Sequence, residues 1–344
     1  MTTKASSLVA FFVLFALPAS TAHARTFQPI GSEKFQLKKQ GLGKHAYRQV
    51  RQLQSAYPRV GLKGLMNDLN RDTGALLTDA AAPGRVFGYS WEPGDNSVSY
   101  WYPQGMTGRD GIQAVSWHRE NDTDVRISFV GPKKKHYRFA LLVNPTGGTG
   151  FKGVPIHAGG LAWAGKYMYV ADTLHGFRVF DTTRILRVPD DRLSETGDYR
   201  YLLPQVGRYR TVGASFKYSA ASLDRSNPKK PALVAGEYRT SGTTRIVRWR
   251  VNPKSHRLAR GKASQAYATK FSHLQGVTTH KGRIFVSSSY GDRGRLYFGK
   301  PRRRARNKPW GITPQALYVS DGALWSHTEP RGQRTVFAKR LGDL

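Results

Sequence analysis

The chain of 344 residues contains no cysteine. That excludes disulfides, thiol nucleophiles and cysteine-ligated metals, so a folded form must rest on its core alone. Acids are also scarce: 22 Asp and Glu stand against 55 Lys and Arg, a formal net charge of +33. Such an excess is silent about fold but favours polyanionic partners. Familiar catalytic signatures are missing too. The Gly-rich stretch NPTGGTG at 144–150 lacks the Gly-Lys-Ser/Thr of a phosphate loop. VGASFKYS at 212–219 holds no Gly-x-Ser-x-Gly elbow. No His-x-His or His-x-x-x-His pair occurs, so spacing assigns no metal site, and no cofactor is named.

One apolar run is present, LVAFFVLFAL at 8–17, which is too short to span a bilayer. Lys4 precedes it, and Ala22-His23-Ala24 places small residues where a signal peptidase cuts. Residues 1–24 therefore read as a secretory signal. No cysteine follows the run and no Arg-Arg pair precedes it, which points away from a lipid anchor and towards the general export route. No later stretch is apolar enough to cross a membrane. The expected product is a secreted monomer, extracellular or associated with the cell wall.

What is abundant is short β-rich runs in a recurring layout. Small residues at Gly105, Gly160, Ala221, Gly276 and Ala316 each open a run, at separations of 55, 61, 55 and 40 residues. Two further runs follow each opening, as in 168–171 and 177–180, or 284–287 and 295–298. Gly, Asp, Asn and Ser turns separate them. A period near 50 made only of strands predicts an all-β fold, a β-propeller of five blades, with 60–100 as the place where a sixth could lie. The last repeat lacks an outer strand before the chain stops. Two unassigned strand-like segments upstream, 86–91 and 97–102, could supply it and close the ring. Residues 44–57 carry Ala46, Val50, Leu53 and Tyr57 at helical spacing, with Pro58 as a stop. The expected organisation is a signal at 1–24, an N-terminal helical extension at 25–84 and a propeller at 85–344.

The stretch GKYMYVADTLHGFRVFDTTRI, residues 165–185, resembles the repeat of LVIVD-type and related YVTN/NHL-like bacterial surface propellers. Those repeats pair a YVAD strand with a G-x-x-V-x-D strand. The resemblance covers one repeat well and the others by layout. It implies a secreted or surface propeller and no particular activity.

In a propeller blade, residues entering the first strand and leaving the second end on the same face, around the channel mouth. Ligand-binding candidates there are Gln104, His118, His157, Asp172, Glu237, His273, Gln275, Gln315, His327 and Glu329. Tyr102, Glu120, Lys217, Tyr218, Ser288 and Ser289 fall beside them. The catalytic candidates are His157, His273, Asp172 and Glu237, since imidazoles and carboxylates can act as general acid and base. Two facing carboxylates could cleave a glycosidic bond. The plain alternative is structural: Gln satisfies neighbouring backbone, and Asp172, His175 and Asp181 serve their own turns.

The densest basic run is KPRRRARNKPW at 300–310. Arg302, Arg303, Arg304, Arg306 and Lys308, closed by Trp310, would suit phosphates plus one stacking surface. No nucleic-acid module is recognisable, so nucleic acid would bind only non-specifically. The leading reading is a secreted propeller that binds an anionic ligand or surface polymer. The alternative is a propeller hydrolase or lyase for a phosphorylated or acidic carbohydrate at the mouth. A pure protein-interaction platform would explain neither the histidines nor the charge.

Overall fold

A computed structural model describes residues 25–344. The signal expected at 1–24 lies outside the described residues. The described chain is a five-bladed β-propeller. Blade 1 uses Trp101–Arg109, Ile112–Arg119, Val125–Val130 and His136–Gly147. Blade 2 uses Leu161–Ala164, Tyr167–Asp172, Gly176–Asp181 and Tyr201–Thr211. Blade 3 uses Ala220–Asp224, Ala232–Gly236, Thr244–Arg250 and Gln265–Thr269. Blade 4 uses Leu274–His280, Arg283–Ser288, Arg295–Gly299 and Arg306–Pro309. Blade 5 uses Tyr318–Ser320, Ala323–His327 and Thr335–Arg340, and takes its fourth strand, Phe87–Ser90, from far upstream. The three inner strands of every blade coincide with the repeats read from sequence. No sixth blade occurs at 60–100, which holds the helix Gly61–Met66, the closing strand and the short helix Pro93–Ser97.

Small residues at the axis have a direct steric cause. A Cβ on Gly160 would sit 2.1 Å from the Ala221 nitrogen of the next blade, and one on Gly276 would sit 2.6 Å from the Gln315 carbonyl oxygen. The inner strands pass backbone to backbone there, and no larger residue fits. Outside the axis, the blades bury aromatic and β-branched side chains between them, with Trp117, Trp163 and Trp249 fully enclosed. That non-directional burial supplies most of the favourable free energy of folding.

The N-terminal region is more than a helical extension. Lys44–Leu53 is helical and turns Val50 and Leu53 inward. Before it, however, Gln28–Ile30 pairs antiparallel with the outer strand of blade 3, and Leu37–Gly41 with the outer strand of blade 2. Phe27, Phe35 and Leu37 are buried by this docking. The segment covers sheet edges that would otherwise expose unpaired backbone groups.

Closure is fixed by hydrogen bonds and by charge. Phe87–Ser90 runs antiparallel to blade 5, with Thr335 opposite Ser90 and Ala338 opposite Phe87. Just after it, Asp95 is 5% exposed. Its carboxylate accepts from Arg126 Nη2 at 3.0 Å and from the Tyr137 hydroxyl at 2.6 Å, both in blade 1. Its backbone carbonyl accepts from Arg334 Nη1 of blade 5 at 2.9 Å. Arg126 is itself enclosed by aromatics, 3.7 Å from the Phe139 ring centre and 4.8 Å from that of Trp101. Removing one partner of a buried pair leaves the other charge uncompensated, at a cost of roughly 3–5 kcal/mol. Asp95→Ala should therefore lose about that much in urea unfolding, whereas Asp190→Ala, at an exposed pair with Arg200, should lose under about 1 kcal/mol. Equal losses would remove Asp95 from the closure.

Candidate functional site at the channel mouth

Of the expected ligand-binding residues, His157 and Gln275 line a cavity of about 500 Å³ that opens across four blades. Asp122 of blade 1, His157 and Thr173 of blade 2, Lys217 and Tyr238 of blade 3, and Gln275 of blade 4 line it. Leu174, 65% exposed, stands at its rim.

The catalytic candidates do not converge. Glu237 is fully buried and saturated. Arg245 grips both its oxygens, Nε at 2.6 Å and Nη2 at 2.5 Å, and the backbone N–H groups of Lys217 and Arg245 add further bonds. Asp172 accepts from Arg178 Nε at 2.8 Å, with His175 Nδ1 2.9 Å from its other oxygen. Neither carboxylate is free to take a proton from a substrate. His273 lies against Tyr238 and Tyr290, ring centres 5.6 and 5.2 Å away, with its Nδ1 3.1 Å from the Ser272 hydroxyl. It shares no polar contact with His157.

Blades 1 and 5 form a second group of expected residues. Gln104 and Gln315 each donate a side-chain amide hydrogen to Glu329, at 2.9 and 2.7 Å. Burial pushes the Glu329 carboxyl up, against those two bonds and the nearby Arg334 charge. His327 is fully buried and donates Nε2–H to the Gln104 carbonyl at 2.7 Å. Burial lowers its pKa to about 4, against two backbone hydrogen bonds. These contacts bind blade to blade, the structural role of strand-end glutamines.

His118 and His157 do meet, with ring centres 4.1 Å apart. The residue between them, Asp122, was not among the sequence candidates. Its Oδ1 is 2.5 Å from His118 Nδ1 and 3.3 Å from His157 Nδ1. It sits two residues past Glu120, in the turn Asn121-Asp122-Thr123-Asp124, and adopts a left-handed φ of 55°. The acid-rich turn was a legible signal, but the selection stopped at the strand end.

The basic run is part turn and part strand. Its second half is Arg306–Pro309, the outer strand of blade 4. Arg302, Arg303, Arg304 and Arg306 are exposed. Trp310 is not a stacking surface: it is fully buried, 5.1 Å from Phe337.

No family model matches the sequence, so the resemblance of residues 165–185 to YVTN/NHL-like repeats stays a likeness of one repeat. No curated protein matches it. Among solved structures, the chain is similar to a thermostable family-43 glycoside hydrolase, at 11% identity and a TM-score of 0.40, over 71% of this chain and 90% of that one. It is similar to Myxococcus xanthus glutaminyl cyclase, at 11% identity and 0.43, over 75% and 95%. It is also similar to the GH43_1 enzyme from Xanthomonas citri complexed with xylose, at 11% and 0.38, over 85% and 92%. Likeness at this level bears on no activity of this chain.

His327 gives the site face a pH signature. Its folded pKa is depressed, so the stability it contributes is present above its ordinary value of 6.5 and is lost as pH falls towards 4. Unfolding then takes up a proton, and His327→Gln should remove up to roughly 3 kcal/mol of the stability lost across that window. Urea midpoints at pH 7, 5.5 and 4.5 test this. An unchanged slope in the variant would show that His327 does not titrate on unfolding.

Proposed function

We propose that this propeller is a secreted, non-catalytic binder of anionic polymers at the cell surface or in the cell wall. The observation that carries the reading is the basic outer edge of blade 4. Among the described residues, Arg302, Arg303, Arg304, Arg306 and Lys308 form no ion pair with any carboxylate. Arg306 and Lys308 stand on the edge strand itself, and Arg302, Arg303 and Arg304 in the turn that leads into it, a run that phosphate groups of an extended polymer could follow. Charge on an edge strand also blocks sheet-to-sheet association, which is the structural use of the same residues. The hydrolase alternative has less support. It needs two free carboxylates facing a substrate, and at the mouth Asp172 and Glu237 are held by arginines while Glu329 is clamped by two amides.

Each phosphate contact releases counterions, so affinity should fall steeply with salt. Diffuse attraction by the remaining charge fades first, as the Debye length shrinks to about 8 Å at physiological ionic strength. A salt series with polyphosphate should give a shallower log–log slope for the variant with Arg302, Arg303, Arg304 and Arg306 all changed to Ser. On duplex DNA the difference should approach about 0.9 per lost contact. Superimposable slopes for the two proteins would sink the reading.

A further inference from the structure

We propose that His118, Asp122 and His157 form a binding site for one divalent transition-metal ion at the channel mouth, with its open positions directed at the cavity. Each residue offers one donor atom, and the donors all lie within 4.8 Å of one another. Two imidazole nitrogens and one carboxylate oxygen suit first-row metals such as zinc, and three protein ligands leave room for water or a ligand atom. Asp122 and His157 line the cavity, so a metal-bound water would face it.

The arrangement is hard to read as an ordinary hydrogen-bonded cluster. His118 is 6% exposed, and its Nδ1 is a buried nitrogen without a hydrogen-bond partner. Asp122 Oδ1 is 2.5 Å away, closer than an ordinary N–H···O bond brings its atoms. A buried polar atom left without a partner costs free energy unless something else satisfies it. A cation between the three donors would do so. The same Asp122 oxygen approaches both Nδ1 atoms: the 3.3 Å separation already matches the roughly 3.3 Å between neighbouring donors of a tetrahedral site, and the 2.5 Å one must open by about 0.8 Å.

The backbone supports the geometry. His118 closes the second strand of blade 1, and the turn bond from Asp122 N–H to the Arg119 carbonyl, 2.8 Å, folds Asp122 back over it. His157 comes from the loop that enters blade 2. The site therefore exists only when two blades are packed together. Lys217 lines the same cavity. A metal beside it would favour a carboxylate or phosphate group as the exchangeable ligand. This inference does not depend on the polymer-binding reading, which concerns the outer edge of blade 4.

The test is titration of the chelator-treated, full-length mature chain with Zn²⁺ by calorimetry, and with Co²⁺ by visible absorption. One Zn²⁺ per chain is expected. Asp122→Asn and His157→Ala should each weaken binding by at least about tenfold, the scale on which even outer-sphere changes act. His273→Ala, a mouth histidine outside the triad, should bind as the parent does. Asp122 lies in an exposed turn, so its variant tests the site without disturbing the core, and circular dichroism checks the fold. Co²⁺ should give d–d bands that Asp122→Asn abolishes. Absence of saturable binding, or equal affinity of Asp122→Asn, His157→Ala and the parent, overturns the proposal. So does an equal loss in His273→Ala.

Discussion

The ring is held by one buried carboxylate. Asp95 lies just beyond the strand that completes blade 5, and it binds Arg126 and Tyr137 of blade 1 through its side chain and Arg334 of blade 5 through its carbonyl. A propeller is a strip of sheets whose two ends must meet. Without a lock between first and last blades, the strip would end in two exposed edges. Burying this ion pair is expensive, and its attraction offsets that cost only with the remaining hydrogen bonds in place. Here the Tyr137 hydroxyl bonds the second Asp95 oxygen, and the Arg126 guanidinium lies against the rings of Phe139 and Trp101, although its Nε has no hydrogen-bond partner. Everything at the mouth depends on this lock, because the mouth is assembled from strand ends of all five blades.

The same chemistry recurs around the ring and shapes what the mouth can do. Each blade carries an arginine at or beside the start of its third strand: Arg126, Arg178, Arg245, Arg295 and Arg334. Where the neighbouring second strand ends in an acid, the arginine takes it up, as Arg178 does with Asp172 and Arg245 with Glu237. In a chain with 55 basic and 22 acidic residues, acids are easily neutralised in this way. A carboxylate gripped at both oxygens is a poor base, whatever face it is on. The basic composition therefore weighs against acid–base catalysis at the mouth as well as for anion binding at the edge.

The inner three strands of each blade were legible because small residues at the axis and β-branched runs recur with the blade. The outer strands of blades 1 to 4 were not, because they follow turns of unequal length; the fifth, Phe87–Ser90, lies within one of the two upstream segments expected to close the ring. Least legible were Gln28–Ile30 and Leu37–Gly41, whose mostly exposed residues show no apolar alternation. They are strands because a neighbouring edge offers hydrogen bonds, a reason that lies outside their own sequence. At the mouth, strand ends bring His157 and Gln275 to one cavity, but placement is not chemistry. The arginine partners six and eight residues after Asp172 and Glu237 were visible in the sequence and decide the role of both acids. Asp122 was missed because turn residues were not followed past the strand end.

Imidazole is the functional group this protein can spare. Its carboxylates are drawn to arginine, and its lysines and arginines repel cations. Neutral imidazole suffers neither fate. Only one acid, Asp122, needs to stay clear of an arginine for a cation site to form. It sits in the turn before the third strand of blade 1, and the arginine near the start of that strand, Arg126, is paired with Asp95. Net charge of +33 does not forbid a metal there, because screening confines its influence to charges within about 8 Å. Over that range one carboxylate and two imidazoles supply the donors, with Lys217 on the wall of the same cavity.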